Sequence, residues 1–340
     1  MNAAAHASAL LALSHAPALD DALDALRALV EAASRIVVLS HHNPDGDAVG
    51  ATLGAALLFE AMGKQVVRLN RDPIPHNLRF LPGADRWLHT LPDGFEHDLV
   101  VLVDCGSRVK PGAVPDHVWA APVAVIDHHE EWDAAMAPVA VRDVDAAATG
   151  ELIFRAAERW CVPLSLELAQ CLYCCVLTDT GSFRYGCTTP ATFQIASRLL
   201  AAGVSPWDMT AHIYESQPRP RMELMCQVLH TLSFAADGRL ATIRLEQHML
   251  ASSGATPEMA DGFINHGRSV EGVEVSAQLT EDAPGAWRVS FRSRGRVDVS
   301  KLAARFGGGG GKNGAGCSMS GDAAAVEAAL AAALAELLDA

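Results

Sequence analysis

Four times in this chain of 340 residues an apolar run delivers aspartate or histidine at its carboxyl end. Ile36-Val37-Val38-Leu39 leads into Ser40-His41-His42-Asn43-Pro44-Asp45-Gly46-Asp47, and Leu99 to Val103 leads into Asp104-Cys105-Gly106. Val123 to Ile126 leads into Asp127-His128-His129, and the helical run Leu168 to Leu177 into Thr178-Asp179-Thr180-Gly181. Short apolar strands alternating with helical stretches predict a doubly wound parallel sheet. In such a sheet the carboxyl ends of the strands converge on one edge, where ligands bind. One aspartate at that edge reads equally well as a helix cap. Four such deliveries are hard to explain as caps alone.

The first delivery is the densest. His41, Asp45 and Asp47 fall on a strand-to-helix loop punctuated by Pro44 and Gly46, ahead of a helix expected over Ala48 to Met62, which Asp47 could cap. An imidazole and two carboxylates within seven residues make half of a metal site. The alternative is a capped turn with a surface histidine.

Length and charge narrow the function. A chain of 340 residues exceeds one typical core and implies two domains. The formal net charge of −14 argues against nonspecific grip on long nucleic acid but not against a small anion, because divalent cations offset carboxylates locally. Of the eight cysteines, Cys161, Cys171, Cys174, Cys175 and Cys226 lie in apolar runs and read as buried thiols; the Cys171/Cys174 pair has no partner pair for zinc. No secretory leader is recognisable, and no apolar run approaches the ~20 residues that cross a bilayer, so a soluble cytoplasmic protein is expected.

The expected organisation is a tail over 1–18, a metal-binding domain over 19–204, a proline-marked linker over 205–222 and a substrate-binding domain over 223–340, with a cleft between the lobes. Arg184, in the turn after Asp179, could take a phosphate or pair with a carboxylate. The second lobe gathers Arg268, Arg292, Ser293, Arg294, Lys312 and Asn313 around the glycines 307–311, including Gly309 and Gly310. Glycine lets backbone N–H groups approach an anion while Lys and Arg supply charge, so this stretch is expected to clamp a phosphate. Its spacing is not that of the nucleotide-binding GxxxxGK[ST] loop.

HHNPDGDAVG, VLVDCG, VIDHH and LTDTGSFRY, in this order, resemble the four motifs of the DHH phosphoesterase family. RSVEGVEVS and FRSRGRVDVSKLAARFGGGGGKNGAG resemble the DHH-associated C-terminal domain, so the resemblance runs from about Arg35 to the end of the chain. It is nearest to the family's branch of bifunctional oligoribonucleases and phosphatases of 3′-phosphoadenosine 5′-phosphate (PAP). The resemblance implies a two-lobed α/β fold, a parallel-sheet catalytic domain with a smaller α/β substrate domain. It also implies two divalent ions, manganese with magnesium or cobalt as substitutes. His41, Asp45 and Asp104 would hold one ion; Asp47, Asp104, His128 and Asp179 the other, with Asp104 as bridge and catalytic residue. His129 would contact the scissile phosphate or help protonation, with Asp127 supporting a ligand. The implied substrates are short single-stranded oligonucleotides, hydrolysed to nucleoside 5′-monophosphates, and PAP, with no membrane and no long nucleic-acid track; a homodimer is compatible with the sequence. Cyclic or linear dinucleotides are the alternative within the same chemistry, and a nucleotide-binding regulatory module is the alternative outside it. The family's GGGH signature is broken here: Gly311 stands where its histidine falls.

Overall fold

The chain, described over residues 17–338 by a computed structural model, divides into two compact units between Ser216 and Gln217. In the first, β1 (Arg35–Leu39), β2 (Gln65–Leu69), β3 (Trp87–Leu88), β4 (Leu99–Val103), β5 (Val123–Asp127) and β6 (Val139–Arg142) form an all-parallel sheet in the order β3-β2-β1-β4-β5-β6. The order reverses between β1 and β4, which pair with Leu39 opposite Leu102. At such a reversal the connections leave the two strands in opposite directions and open a crevice beyond their carboxyl ends. Ser40-His41 and Val103-Asp104 therefore emerge side by side.

The sheet buries both faces, which is why its strands read as continuous apolar runs. Ile36, Val38, Val101, Val103, Ala124 and Ile126 pack into the core that includes the helices, α1 (Pro17–Ala32), α2 (Gly46–Ala61), α3 (Thr149–Arg159), α4 (Leu166–Asp179), α5 (Pro190–Ala201) and α6 (Pro206–Tyr214). Val37, Leu39, Val100, Leu102, Val123 and Val125 face a second cluster closed by Val118, Met136 and Ala137. The strand order is that of a doubly wound sheet, but this second face carries a short 3-10 turn and irregular chain in place of α-helices. Pro111, Pro115 and Pro122 prevent a longer helix there.

α2 is buried along almost its whole length, and glycine is the reason it can be. A Cβ at Gly46 would lie 2.3 Å from Thr178 Oγ1, and one at Gly50 2.6 Å from the Cys171 carbonyl oxygen, both in α4. In α3, a Cβ at Gly150 would stand 2.4 Å from that of Cys175. Three helices thus meet almost in backbone contact around the buried thiols of Cys171, Cys174 and Cys175. Cys161 and Cys226, expected in the core, are exposed. Cys161 follows the end of α3 in left-handed backbone (φ +57°), and Cys226 lies on an outer helix face.

The division falls inside the expected linker over 205–222, but the prolines there start helices. Ser205 caps α6 with Pro206 in its first turn, and Pro218 precedes α7 (Arg219–His230), which carries Pro220 near its start. Of the expected tail, 1–16 lie outside the described residues, while Pro17 and Ala18 already belong to α1.

The second unit continues through β7 (Ser233–Ala235), β8 (Leu240–Leu245), α8 (Gln247–Ser253), α9 (Ile264–Ser269), β9 (Val275–Ala283), β10 (Ala286–Ser293), α10 (Val299–Ala304), β11 (Gly309–Gly310), β12 (Gly314–Ser320) and α11 (Ala323–Leu338). Its sheet runs β11-β12-β10-β9-β8-β7 and is antiparallel except between β8 and β9. Val275, Ala277, Leu279, Val289 and Phe291 pack on Val326, Leu330 and Leu334, which form an apolar stripe along α11. Ile243 and Leu245 pack the other way, on Leu224, Val228 and Phe263. The glycine run is a hairpin. β11 pairs with β12, and Gly311 and Gly314 exchange backbone hydrogen bonds of 2.8 and 3.3 Å around the exposed turn Lys312-Asn313. Gly308 and Gly310 are required by packing, since a Cβ on either would lie 2.1–2.6 Å from backbone atoms of the facing strand.

The three-helix junction sets a stability test. Gly150→Ala adds a methyl against Cys175 and gains about 1 kcal/mol of helix propensity, but overpacking costs roughly 1–3 kcal/mol. A net loss of stability is expected in denaturant unfolding; unchanged or higher stability would show that α3 is free to move away from α4.

Candidate metal centre

Each aspartate of the carboxyl edge is presented by a distinct local device. Asp45, not Asp47, caps α2: its Oδ1 accepts the N–H groups of Asp47 and Ala48 at 3.1 and 3.0 Å. Asp47 is left in the first turn of α2, only 2% exposed and free to face inward. Asp104, also 2% exposed, turns the chain out of β4 in left-handed backbone (φ +53°), a conformation that aspartate tolerates better than most residues. Asp179 is the last residue of α4, and His128 and His129 leave β5.

These groups converge. His41 Nε2 lies 3.4 Å from Asp104 Oδ2 and 3.9 Å from Asp45 Oδ1. His128 Nε2 lies 3.4 Å from Asp179 Oδ2 and 3.7 Å from both Asp47 Oδ2 and Asp104 Oδ1. Donor atoms of His41, Asp45 and Asp104 lie within 4.8 Å of one another, as do those of Asp47, His128 and Asp179, and those of Asp104, His128 and His129. The two oxygens of Asp104 face different groups, as a bridging carboxylate requires. The Nδ1 atoms of His41 and His128 are engaged by the carbonyls of His42 (2.8 Å) and Ala146 (3.0 Å), which leaves each Nε2 free for a ligand. His129 differs: its Nδ1 is held by Asp127 Oδ1 at 2.7 Å and lies 3.5 Å from Asp104 Oδ1. Imidazoles and carboxylates without thiolate suit manganese or magnesium better than a soft metal, so the donor set fits two hard divalent ions.

The charges ask for cations. Burial, with Asp104, Asp179 and Asp45 beside it, pushes Asp47 well above the ordinary carboxylate range. Burial also works to raise Asp104, but the hydrogen bond from His41 and the charges of His129, His41 and His128 outweigh it and hold it below its usual value. Burial pushes Asp179 up to about 6 despite His128. Burial opposes a charge on His41, yet Asp104, the His42 carbonyl and Asp45 together lift it to about 9. A cation bound at this edge must displace the protons that the raised groups hold.

Several supporting residues were not singled out from sequence. Thr149, at the start of α3, donates its N–H to Asp47 Oδ2 (2.7 Å) and its hydroxyl to Asp104 Oδ1 (3.0 Å), and Gly150 N–H reaches Asp47 Oδ1 (3.2 Å). Asn70, at the end of β2, donates to Ser40 Oγ and the His41 carbonyl at 3.0 and 2.9 Å. Arg142 donates to the carbonyls of His129 and Glu130 and stacks over Trp132. Their only sequence signal was position, each at the carboxyl edge of the sheet or the first turn of a helix.

The expected substrate residues are dispersed. Arg184 is exposed, and its Nε donates to the Gly181 carbonyl at 2.5 Å; among the described residues it forms no salt bridge. In the second unit, exposed Arg292 donates to the Phe291 carbonyl, while buried Ser293 bonds Asn313 Oδ1 at 3.3 Å. Arg268 offers its carbonyl to Arg294 at 3.0 Å. Gly309 and Gly310 lie in the β11–β12 ladder, where the facing strand leaves no room for a Cβ on Gly310, whereas one on Gly309 would meet nothing within 4 Å.

A family profile described as the DHH family, N-terminal domain, matches residues 35–176, and one described as the DHHA1 domain matches 239–339. A bifunctional oligoribonuclease and PAP phosphatase of Thermus thermophilus is 34% identical over 84% of both chains. A cyclic-di-AMP phosphodiesterase of Geobacillus thermodenitrificans is 26% identical over 84% of this chain and 45% of its own length. Among solved structures, an exopolyphosphatase-related protein of Bacteroides fragilis superposes with a TM-score of 0.84 at 28% identity, covering 93% of this chain and 96% of that one.

The raised His41 predicts how an ion enters. Below about 9 its proton must leave before Nε2 can ligate, so lowering the pH weakens binding and raising it strengthens binding. Apparent manganese affinity should rise up to about tenfold per pH unit from 7 toward 9 as that proton is released. Calorimetric titration in two buffers of different ionisation heat measures the proton; no release at pH 7.5 would contradict the assignment.

Proposed function

The chain belongs to the DHH family of phosphoesterases, and from that premise we propose that it is a two-metal hydrolase of short oligonucleotides and of PAP. The observation that carries this reading is the shared Asp104, with an imidazole and carboxylates gathered against each of its oxygens. His41, Asp45 and Asp104 would hold one divalent ion, and Asp47, Asp104, His128 and Asp179 the other, most suitably manganese. When bound, such a pair lowers the pKa of a water and stabilises the attacking and leaving oxygens of an in-line displacement.

The remaining chemistry falls to the side chains. The Asp127 hydrogen bond raises the pKa of His129 and fixes its Nδ1 proton, which leaves Nε2 to donate toward a phosphoryl oxygen. Arg184, Arg268, Arg292, Ser293, Gly309, Gly310, Lys312 and Asn313 are assigned to substrate, with the exposed cations as phosphate partners. The net charge of −14 favours substrates of a few nucleotides over a long polymer that needs a basic track. Products would be nucleoside 5′-monophosphates from oligonucleotides, and AMP with phosphate from PAP. A cytoplasmic setting belongs to the same reading; no helix among the described residues is long and apolar enough to cross a membrane. The relative named as a cyclic-di-AMP phosphodiesterase supports a second reading, in which a cyclic or linear dinucleotide is the preferred substrate.

One assay separates these readings. A 5′-phosphorylated dinucleotide, PAP and cyclic di-AMP are each offered with manganese or with EDTA, and Asp104→Ala is the control. Manganese-dependent release of mononucleotide or phosphate, lost in the variant, is expected, and the ratio of kcat/KM values ranks the substrates. No turnover of any of them by protein shown to hold manganese would overturn the assignment.

Gly311 supplies a second test. A Cβ there would meet nothing nearer than the Gly314 carbonyl oxygen at 3.8 Å, so the turn has room for a side chain. Gly311→His restores the family signature and should fold normally while lowering KM several-fold. An unchanged KM would show that the missing histidine is not what limits substrate binding.

A further inference from the structure

We propose that Thr149 is a positioning residue that joins the two donor groups, orienting Asp104 through its hydroxyl and Asp47 through its backbone N–H. The inference rests on the two-metal reading above and assigns a role to a residue outside its ligand set. Asp47 and Asp104 come from different elements, α2 and β4, and both are only 2% exposed. Two buried carboxylates repel each other and lose their hydration, so they keep a fixed geometry only where fixed donors replace water.

Thr149 supplies those donors to both. Its N–H meets Asp47 Oδ2 at 2.7 Å, and its Oγ1 meets Asp104 Oδ1 at 3.0 Å. Gly150 completes the hold on Asp47 with an N–H at 3.2 Å from Oδ1. The start of α3 is otherwise uncapped, because its N-cap residue is Ala148 and offers no side-chain acceptor. Asp47 therefore does for α3 what an N-cap side chain normally does, from 102 residues away in sequence. The hydroxyl is fully buried at the same junction, and it donates to a carboxylate rather than to a carbonyl of its own helix turn. It donates to the Asp104 oxygen that faces His128, and leaves Oδ2 facing His41. The hydroxyl thus acts on the group of Asp47, His128 and Asp179 more directly than on the group of His41 and Asp45.

The test is metal binding, read without substrate. Manganese is titrated into metal-free wild type and into Thr149→Val, Thr149→Ser and Thr149→Ala, with affinity from calorimetry and spin coupling of the bound pair from electron paramagnetic resonance. Thr149→Val keeps the N–H and the branched shape but removes the hydroxyl. It should weaken one of the two ions by about 10- to 100-fold, leave the other less affected, and reduce the coupled-pair signal. Thr149→Ser should restore both. If Thr149→Val does not fold, Thr149→Ser against Thr149→Ala carries the same comparison: a hydroxyl role makes Ser resemble wild type, whereas a packing role makes Ser resemble Ala. Wild-type affinities in every variant would overturn the inference while leaving the metal centre standing. A wild type that binds no manganese would overturn the centre itself, and this role with it.

Discussion

Everything at the carboxyl edge of the first sheet follows from placing like charges where water cannot reach them. Asp47 and Asp104 are buried within reach of the same His128 nitrogen, with Asp179 alongside. Left alone, such a cluster resolves its repulsion by holding protons, which is why Asp47 and Asp179 are lifted while Asp104, beside three imidazoles, keeps its charge. Divalent cations resolve the same repulsion without protons. The fold's contribution is to fix the geometry a cation needs: backbone N–H groups hold Asp45 and Asp47, the Thr149 hydroxyl holds Asp104, and His41 and His128 are turned so that each Nε2 faces the carboxylates.

The topology makes that crowding feasible. A sheet whose order reverses between β1 and β4 presents two chain exits at one crevice, and β5 and the end of α4 add a third and a fourth. The helices that bring Asp47, Asp179 and Thr149 to the crevice cross at glycine contacts, so their approach is set by backbone rather than by bulky side chains. Close packing of that kind leaves little slack, and ligand positions inherit the stiffness of the core.

Much of this was legible because the signals were local. An apolar run followed at once by Asp or His is a pattern within a few residues, and the ligand candidates lie where that pattern put them. What stayed hidden was non-local. That Asp45 rather than Asp47 caps α2 depends on which carboxylate is drawn inward by Thr149 and Gly150, far away in sequence. The role of Thr149 was invisible for the same reason. The glycines 307–311 carried a second constraint that composition hides: the facing strand's backbone itself requires Gly308 and Gly310, whatever the hairpin binds. The prolines of 205–222 announced helix starts as readily as a linker, since proline fits the first turn of a helix without losing a hydrogen bond.

The distant capping of α3 has a consequence for the order in which the molecule acquires its chemistry. A helix whose first turn is completed by Asp47 cannot finish that turn until the chain between two residues 102 apart has closed into the sheet. Contacts of such long sequence separation form late, because their loop-closure entropy comes due before they stabilise anything. A nascent or half-folded chain displays HHNPDGD as a flexible acidic loop, with no second donor group and no shared carboxylate. High-affinity capture of a metal pair is therefore a property of the completed topology, and in a refolding experiment it marks the end of folding rather than its nucleus.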